Sequence, residues 1–173
     1  MKVELIRYPM EEDWKLCKMA ALNTIWKNST DIPSDAWRRK ILSAGHSPIR
    51  VLNFYIRITD IPYWVAMHLV RHVHATPFVS SQRNDRQDMY DRTKAPQDSP
   101  VNMDWYMNAE ELMTIAHKRL CMQTSPETRE VVREICDKVL EVCPEFEGLL
   151  VPICVYRSGF CNEFIPCRKG KTK

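Results

Sequence analysis

Five side chains between positions 68 and 83 are of types that could hold an anion together. His68, Arg71 and His72 stand at i, i+3 and i+4, so on a helix they point to one side. Ser81 and Arg83 follow, with Ser80 adjacent. Nitrogen-rich groups on an otherwise apolar helix must be solvated, paired or bound to something negative. A forked guanidinium backed by hydroxyl donors suits a phosphate. Two later arginines, Arg119 and Arg129, flank the connection between two helical patterns, from which both could be aimed at one anion. Each of these groups, taken singly, also reads as a solvated surface charge.

The elements that must carry these groups follow from periodicity. Pro62 opens a helical stretch with Asp60 as its cap, and Val65, Ala66, Leu69 and Val70 give it an apolar side. Before it, residues 51–59 alternate, with Leu52, Phe54, Ile56 and Ile58 on one face, as in a half-exposed strand. Lys2 to Ile6 reads as a short strand. An amphipathic helix from Glu11 to Lys27 would bury Trp14, Cys17, Ala21, Leu22 and Ile25, and a shorter one from Pro33 to about Leu42 would bury Trp37 and Ile41. Ser43 to Pro48 is a turn carrying His46. Thr76 to Ser81 reads as a short strand, and Arg83 to Pro100, rich in Asp, Arg and Pro, as a loop or lid.

Trp105 to Met122 returns to helical spacing, with Asp104 as cap and Leu112, Ile115, Ala116 and Leu120 as the apolar side. Ser125-Pro126-Glu127 is a strong helix start, and the helix runs to about Val142 with Val131, Val132, Ile135, Val139 and Leu140 buried. The pattern is α+β, a small antiparallel or mixed sheet with helices packed around it. Residues 1–148 form the domain and residues 149–173 a Cys-containing C-terminal extension of it.

Composition narrows the function classes. The chain has 173 residues, 45% hydrophobic and 27% charged, with a net charge of +3. That is ordinary for a globular protein and too weakly basic to imply nucleic acid or an anionic membrane surface. There is no apolar run of membrane-spanning length and no signal-peptide core at the amino terminus, so a cytoplasmic location is expected. Seven cysteines in that setting should be reduced thiols or metal ligands. Cys143, Cys154, Cys161 and Cys167 lack a Cys-x-x-Cys knuckle. They read as structural thiols, with a zinc or iron–sulfur site as the alternative.

Three stretches in order resemble the flavin-dependent thymidylate synthases. The family signature is Arg-His-Arg, seven residues, Ser, and Arg two positions later; here it reads Arg71-His72-Val73, seven residues, Ser81 and Arg83. A Gly-His-x-Ser-Pro-Phe-Glu-His turn has its counterpart in Gly45-His46-Ser47-Pro48-Ile49-Arg50-Val51. An arginine ending one helix and another in an Ala-Gln-x-Glu-Ile-Arg string are matched by Arg119 and by Arg129 in Ser125-Pro126-Glu127-Thr128-Arg129. The similarity spans roughly residues 3–142.

The resemblance implies a homotetramer with FAD held between subunits. Its reaction would be reductive methylation of dUMP to dTMP, with methylenetetrahydrofolate and NADPH as co-substrates. It places Arg71 and His72 against flavin and nucleotide, with His46 near the flavin. His68, Ser81, Arg83 and Arg119 fall on the nucleotide phosphate, and Arg129 on the pyrimidine carbonyl. Arg129 and His72 are therefore the candidate catalytic residues. The chain departs from the pattern at Val73, where the family has arginine, at Phe78-Val79, where it has Asn-Glu, and at Arg50-Val51, where it has Glu-His. It is also short for the family. These changes spare the phosphate clamp and alter the flavin and base surroundings, so a relative acting on another pyrimidine nucleotide, or without methylation, is the alternative. A metal-binding module using the C-terminal cysteines is a further one.

Overall fold

Two long strands, β2 (Asn53–Pro62) and β4 (Pro100–Asn108), pair antiparallel along most of their length, and the other elements are built on them. The computed structural model describes residues 1–83, 85, 91 and 93–167. Strand β1 (Lys2–Arg7) adds to β2 and β3 (Thr76–Val79) adds to β4, giving the order β1-β2-β4-β3 with every pair antiparallel. Alternation sends Phe54, Ile56, Ile58, Val101, Met103, Trp105 and Met107 into the core. The opposite face is polar. There Arg57 grips Asp104 through two hydrogen bonds of 2.8 Å, and the Tyr55 hydroxyl donates to the same carboxylate at 2.9 Å. The Arg57 guanidinium holds the Asp104 carboxyl below its ordinary range.

Among the described residues six α-helices follow in chain order: α1 (Glu11–Asn23), α2 (Asp35–Ala44), α3 (Tyr63–Leu69), α4 (Ala109–Arg119), α5 (Pro126–Val142) and the short α6 (Ile153–Tyr156). Helix α5 packs on β1 and α4, while α3 contacts β2, β4 and α5. Val65, Ala66 and Leu69 of α3, Leu112, Ile115 and Ala116 of α4, and Val131, Val132, Ile135 and Val139 of α5 join the strand residues in one core. Leu149 and Leu150 belong to that core too. His117 ties the C-terminal segment to α4, its Nε2 lying 3.0 Å from the Leu149 carbonyl and its ring 4.6 Å from that of Tyr156. No described helix is long and apolar enough to cross a membrane.

Several boundaries differ from expectation. Helix α1 stops at Asn23, because Trp26 adopts φ +58° and the Lys27 amide turns back to the Leu22 carbonyl, a left-handed C-terminal closure. Ile25 is consequently exposed. Asp60 caps no helix. It sits at φ +59° in a bulge between Ile58 and Ile61, where its amide donates to the Asn102 side chain at 3.1 Å. Strand β2 therefore continues to Pro62, and α3 is only seven residues long.

Trp105 to Asn108, expected to be helical, is strand. Val101, Met103, Trp105 and Met107 carry a period of two that Met and Trp, acceptable in either state, leave ambiguous. The cap of α4 is Asn108, whose side chain accepts from the Glu111 amide at 3.0 Å. Residues 84, 86–90 and 92 of the expected lid at Arg83–Pro100 lie outside the described residues. At its end, the Ser99 and Gln97 carbonyls accept the Tyr63 and Trp64 amides of the first turn of α3.

Candidate functional site

An open cleft of about 540 Å³ lies between the turn after α3, the last turn of α4 and the α4–α5 connection. His68, Arg71, Lys118 and Arg119 line it, with His72 and Cys121 at its back and Gln123, Thr124 and Ser125 along one rim. The expected helical stacking of His68, Arg71 and His72 does not occur, since α3 ends at Leu69. The tight turns that follow, His72 amide to Leu69 carbonyl and Ala75 amide to His72 carbonyl, bring Arg71 and His72 back to the same cleft.

Arg119 is held from two sides. Its Nε donates to His72 Nε2 at 2.9 Å and its Nη2 to the His68 carbonyl at 2.7 Å. The rest of the guanidinium fork stays available to the cleft. Burial, then the neighbouring Arg71, lowers the Arg119 pKa from its ordinary value. Arg71 is exposed and is seen here mainly through its charge, which acts on Arg119 and His72.

His72 is 9% exposed, and its Nδ1 lies 3.3 Å from Oε1 of Glu111. Because Nε2 accepts from Arg119, the imidazole proton belongs on Nδ1 and is donated to Glu111. Burial, together with Arg119, Arg71 and Lys118, pushes the His72 pKa down to about 4. The contact is thus a hydrogen bond from a neutral ring, not an ion pair. Burial also raises the Glu111 carboxyl. Trp105 closes the back, its ring edge-on to His72 at 6.1 Å.

His68 is set by a hydroxyl relay. Ser125 donates to Thr128 Oγ1 at 2.9 Å, and the fully buried Thr128 hydroxyl lies 3.3 Å from His68 Nδ1. A Thr128 hydroxyl that donates to Nδ1 would leave the His68 proton on Nε2.

The other expected members lie elsewhere in the chain. Ser81 lines a separate cavity of about 320 Å³ with Asp60, Ser80 and Asn102. Arg83 is exposed and forked onto Asp85, both bonds 2.8 Å. His46 edges an apolar groove formed by Ala21, Leu22, Trp37 and Ile41. Arg129 donates through Nη1 to the Met122 and Thr124 carbonyls and so braces the α4–α5 connection. The single constellation read from the sequence is therefore split, with His68, Arg71, His72 and Arg119 together and His46, Ser81, Arg83 and Arg129 apart.

Sequence reasoning missed Lys118, Gln123, Glu111 and Glu163. Lys118 was legible as the neighbour of Arg119. Glu111 reads only as an acid in a first helical turn, and nothing in the sequence links it to His72. Glu163 reaches the cleft because the C-terminal segment folds back across it, anchored where Gln123 Nε2 donates to the Ile165 carbonyl at 2.7 Å.

The cysteines do not form the sulfur cluster weighed above. Cys143 is buried at the end of α5, its thiol pushed up to about 12 by burial, while Cys154, Cys161 and Cys167 lie on the C-terminal segment. Among the described residues, no three His, Cys, Asp or Glu side chains are placed to hold a metal ion.

Residues 91–145 match the family of thymidylate synthase complementing proteins. That segment carries β4, α4 and all of α5, hence Glu111, Arg119 and Arg129. The fold matches the crystal structure of thymidylate synthase X from Helicobacter pylori with FAD and dUMP, at TM-score 0.68 and 13% identity. The resemblance to the flavin-dependent thymidylate synthases holds. The structural match covers 87% of this chain and 99% of the other, so this chain is not short against it. No curated protein sequence matches. The Arg71-His72 to Arg83 signature lies outside the matched segment; of its residues, Arg71 and His72 line the cleft, while Ser81 and Arg83 do not.

Proposed function

We propose that this chain binds a pyrimidine nucleoside monophosphate in the cationic cleft and methylates it reductively, dUMP to dTMP, with FAD, NADPH and methylenetetrahydrofolate. The observation that carries the reading is Arg119, locked by His72 and His68 with its remaining donors on a cleft shared with Arg71 and Lys118. Such a cluster of donors and positive charge fits a phosphate dianion. The thymidylate synthase X structure that shares this fold was determined with FAD and dUMP.

In this reading Arg71, Lys118, Arg119 and His68 hold the phosphate. Arg129 is tied to the loop through Nη1 and does not line the cleft; across a subunit boundary its other nitrogens would serve a pyrimidine carbonyl, where positive charge stabilises the electron density that builds as C5 becomes nucleophilic. The residues carried over to the flavin, His46, Arg71 and His72, do not form one seat within a chain. Ser81 and Arg83 likewise lie off the cleft. A cytoplasmic homotetramer, with sites completed across subunit boundaries, reconciles both facts. FAD, when bound, supplies the redox chemistry, while the protein supplies orientation and charge.

The test is reconstitution of the purified full chain with FAD followed by titration with dUMP. Retained flavin absorbance that shifts on adding dUMP is expected. Flavin loss on gel filtration together with no dUMP binding overturns the proposal.

A second reading, a nucleotide-binding relative without methylation, is favoured by Val73 and Phe78. They are 83% and 56% exposed, apolar where the family carries polar or charged groups. Complementation of a thymidine-requiring bacterial strain separates the two. Growth without thymidine excludes the second reading, and soluble protein that binds dUMP without rescue supports it.

A further inference from the structure

Glu111 is a carboxylate only 5% exposed in the first turn of α4, and carboxylates are rarely buried that deeply without a partner. Its partner is His72 Nδ1 at 3.3 Å, and the far nitrogen of the same ring accepts from Arg119 Nε at 2.9 Å. Glu111 and Arg119 occupy opposite ends of one helix, and the imidazole is lodged between them as a bridge. We infer that Glu111 is a positioning residue for the nucleotide phosphate: by accepting the Nδ1 proton it fixes the His72 tautomer that lets Arg119 face the cleft. This inference rests on reading the cleft as the nucleotide site.

The reasoning is one of donors and acceptors. A neutral imidazole carries one N–H and one lone pair. With the proton on Nε2, two donors would oppose each other at the Arg119 contact, and Arg119 would lose one of its two anchors. With the proton on Nδ1, a buried donor needs an acceptor, and Glu111 is the one in contact. Burial, with the cations Arg119, Arg71 and Lys118, keeps the ring neutral, and Arg119 and Glu111 favour the same tautomer from opposite sides of the ring. Trp105 lies edge-on to the ring and limits its freedom to reorient. Glu111 is itself pinned, since its amide donates to the Asn108 cap at 3.0 Å. Glu111 also borders a second cavity with Arg50, His74 and Glu110.

The test uses the full chain, reconstituted with FAD and labelled with ¹⁵N-histidine, with His72 assigned by its loss in His72→Gln. Long-range ¹H–¹⁵N correlation near neutral pH is expected to show His72 as the Nδ1–H tautomer. Glu111→Leu is expected to move it to Nε2–H and weaken dUMP binding about tenfold. Glu111→Gln, which retains an acceptor oxygen, restores most of both. An Nε2–H tautomer in the unaltered protein overturns the inference without any variant having to fold, as does a Glu111→Leu protein with unchanged tautomer. If the tautomer responds as stated while the unaltered protein binds neither dUMP nor inorganic phosphate, the nucleotide reading falls, and only the placement of Arg119 by Glu111 through His72 stands.

Discussion

Arg119 donates from Nε to the Nε2 of His72 at 2.9 Å, joining residues 47 apart in the chain inside the wall of the cationic cleft. A guanidinium held this way cannot swing to solvent, so its remaining donors are preorganised for an anion. Arg119→Ala should weaken dUMP binding by ten- to a hundredfold, since a hydrogen bond to a charged group is worth about 1.5–3 kcal/mol. Arg119→Lys should recover only part, having charge without the fork. Isothermal titration of each variant checks this, and an unchanged dissociation constant removes Arg119 from the site.

His72 makes stability depend on pH. Unfolded, it takes up a proton near its ordinary value of 6.5; folded, only near 4. Between those values the unfolded chain binds more protons, so stability falls as pH drops through that window, by on the order of 3 kcal/mol in all. His117, also lowered by burial, acts in the same direction. Glu111, raised by burial, opposes them between the ordinary carboxylate value and its own higher one. Urea unfolding at intervals from pH 4 to 7 should show a shallower slope in His72→Gln, and equal slopes in both proteins would contradict the assignment.

Glu163 brings a negative charge into a cleft that Arg71, Lys118 and Arg119 make cationic. An incoming phosphate must displace or repel it. Glu163→Gln should tighten dUMP binding, by a few-fold, as expected for a half-exposed charge partly screened by water. Weaker binding in this variant would show instead that Glu163 helps hold the ligand.

Asn108 links fold to site, because its side chain caps α4 through the Glu111 amide. Asn108→Ala should cost about 1 kcal/mol of stability, the usual value of an N-cap. It should also weaken dUMP binding by loosening Glu111. Thermal unfolding and titration on one preparation measure both effects; a stability loss with no change in affinity would uncouple the cap from the cleft.

Much of the scaffold was legible before any coordinates. The alternation of Leu52, Phe54, Ile56 and Ile58 placed β2 and its buried face, and Ser125-Pro126-Glu127 placed the start of α5. Both are local signals, a period of two and a helix-start triplet. The boundary at Trp105 was lost because methionines and a tryptophan suit either state, and pairing with β2 decided between them. Asp60 looked like a cap by type, but the bulge against Asn102 gave it another use.

The site divides the same way. His68, Arg71, His72 and Arg119 could be named from residue type, spacing and family resemblance, since those carry charge and donor chemistry. Which of the named residues share one cleft could not. The ends of α3 and α4 meet only because the sheet and α5 pack them together, over separations of 39 to 51 residues. That packing puts Glu111 behind His72, turns Arg129 onto its own loop and carries Glu163 over the cleft. Residue types alone determined that the chain could bind an anion. Tertiary structure decided where, because a hydrogen bond between two side chains depends on their separation in space, and sequence spacing encodes that separation only within a single helix or strand.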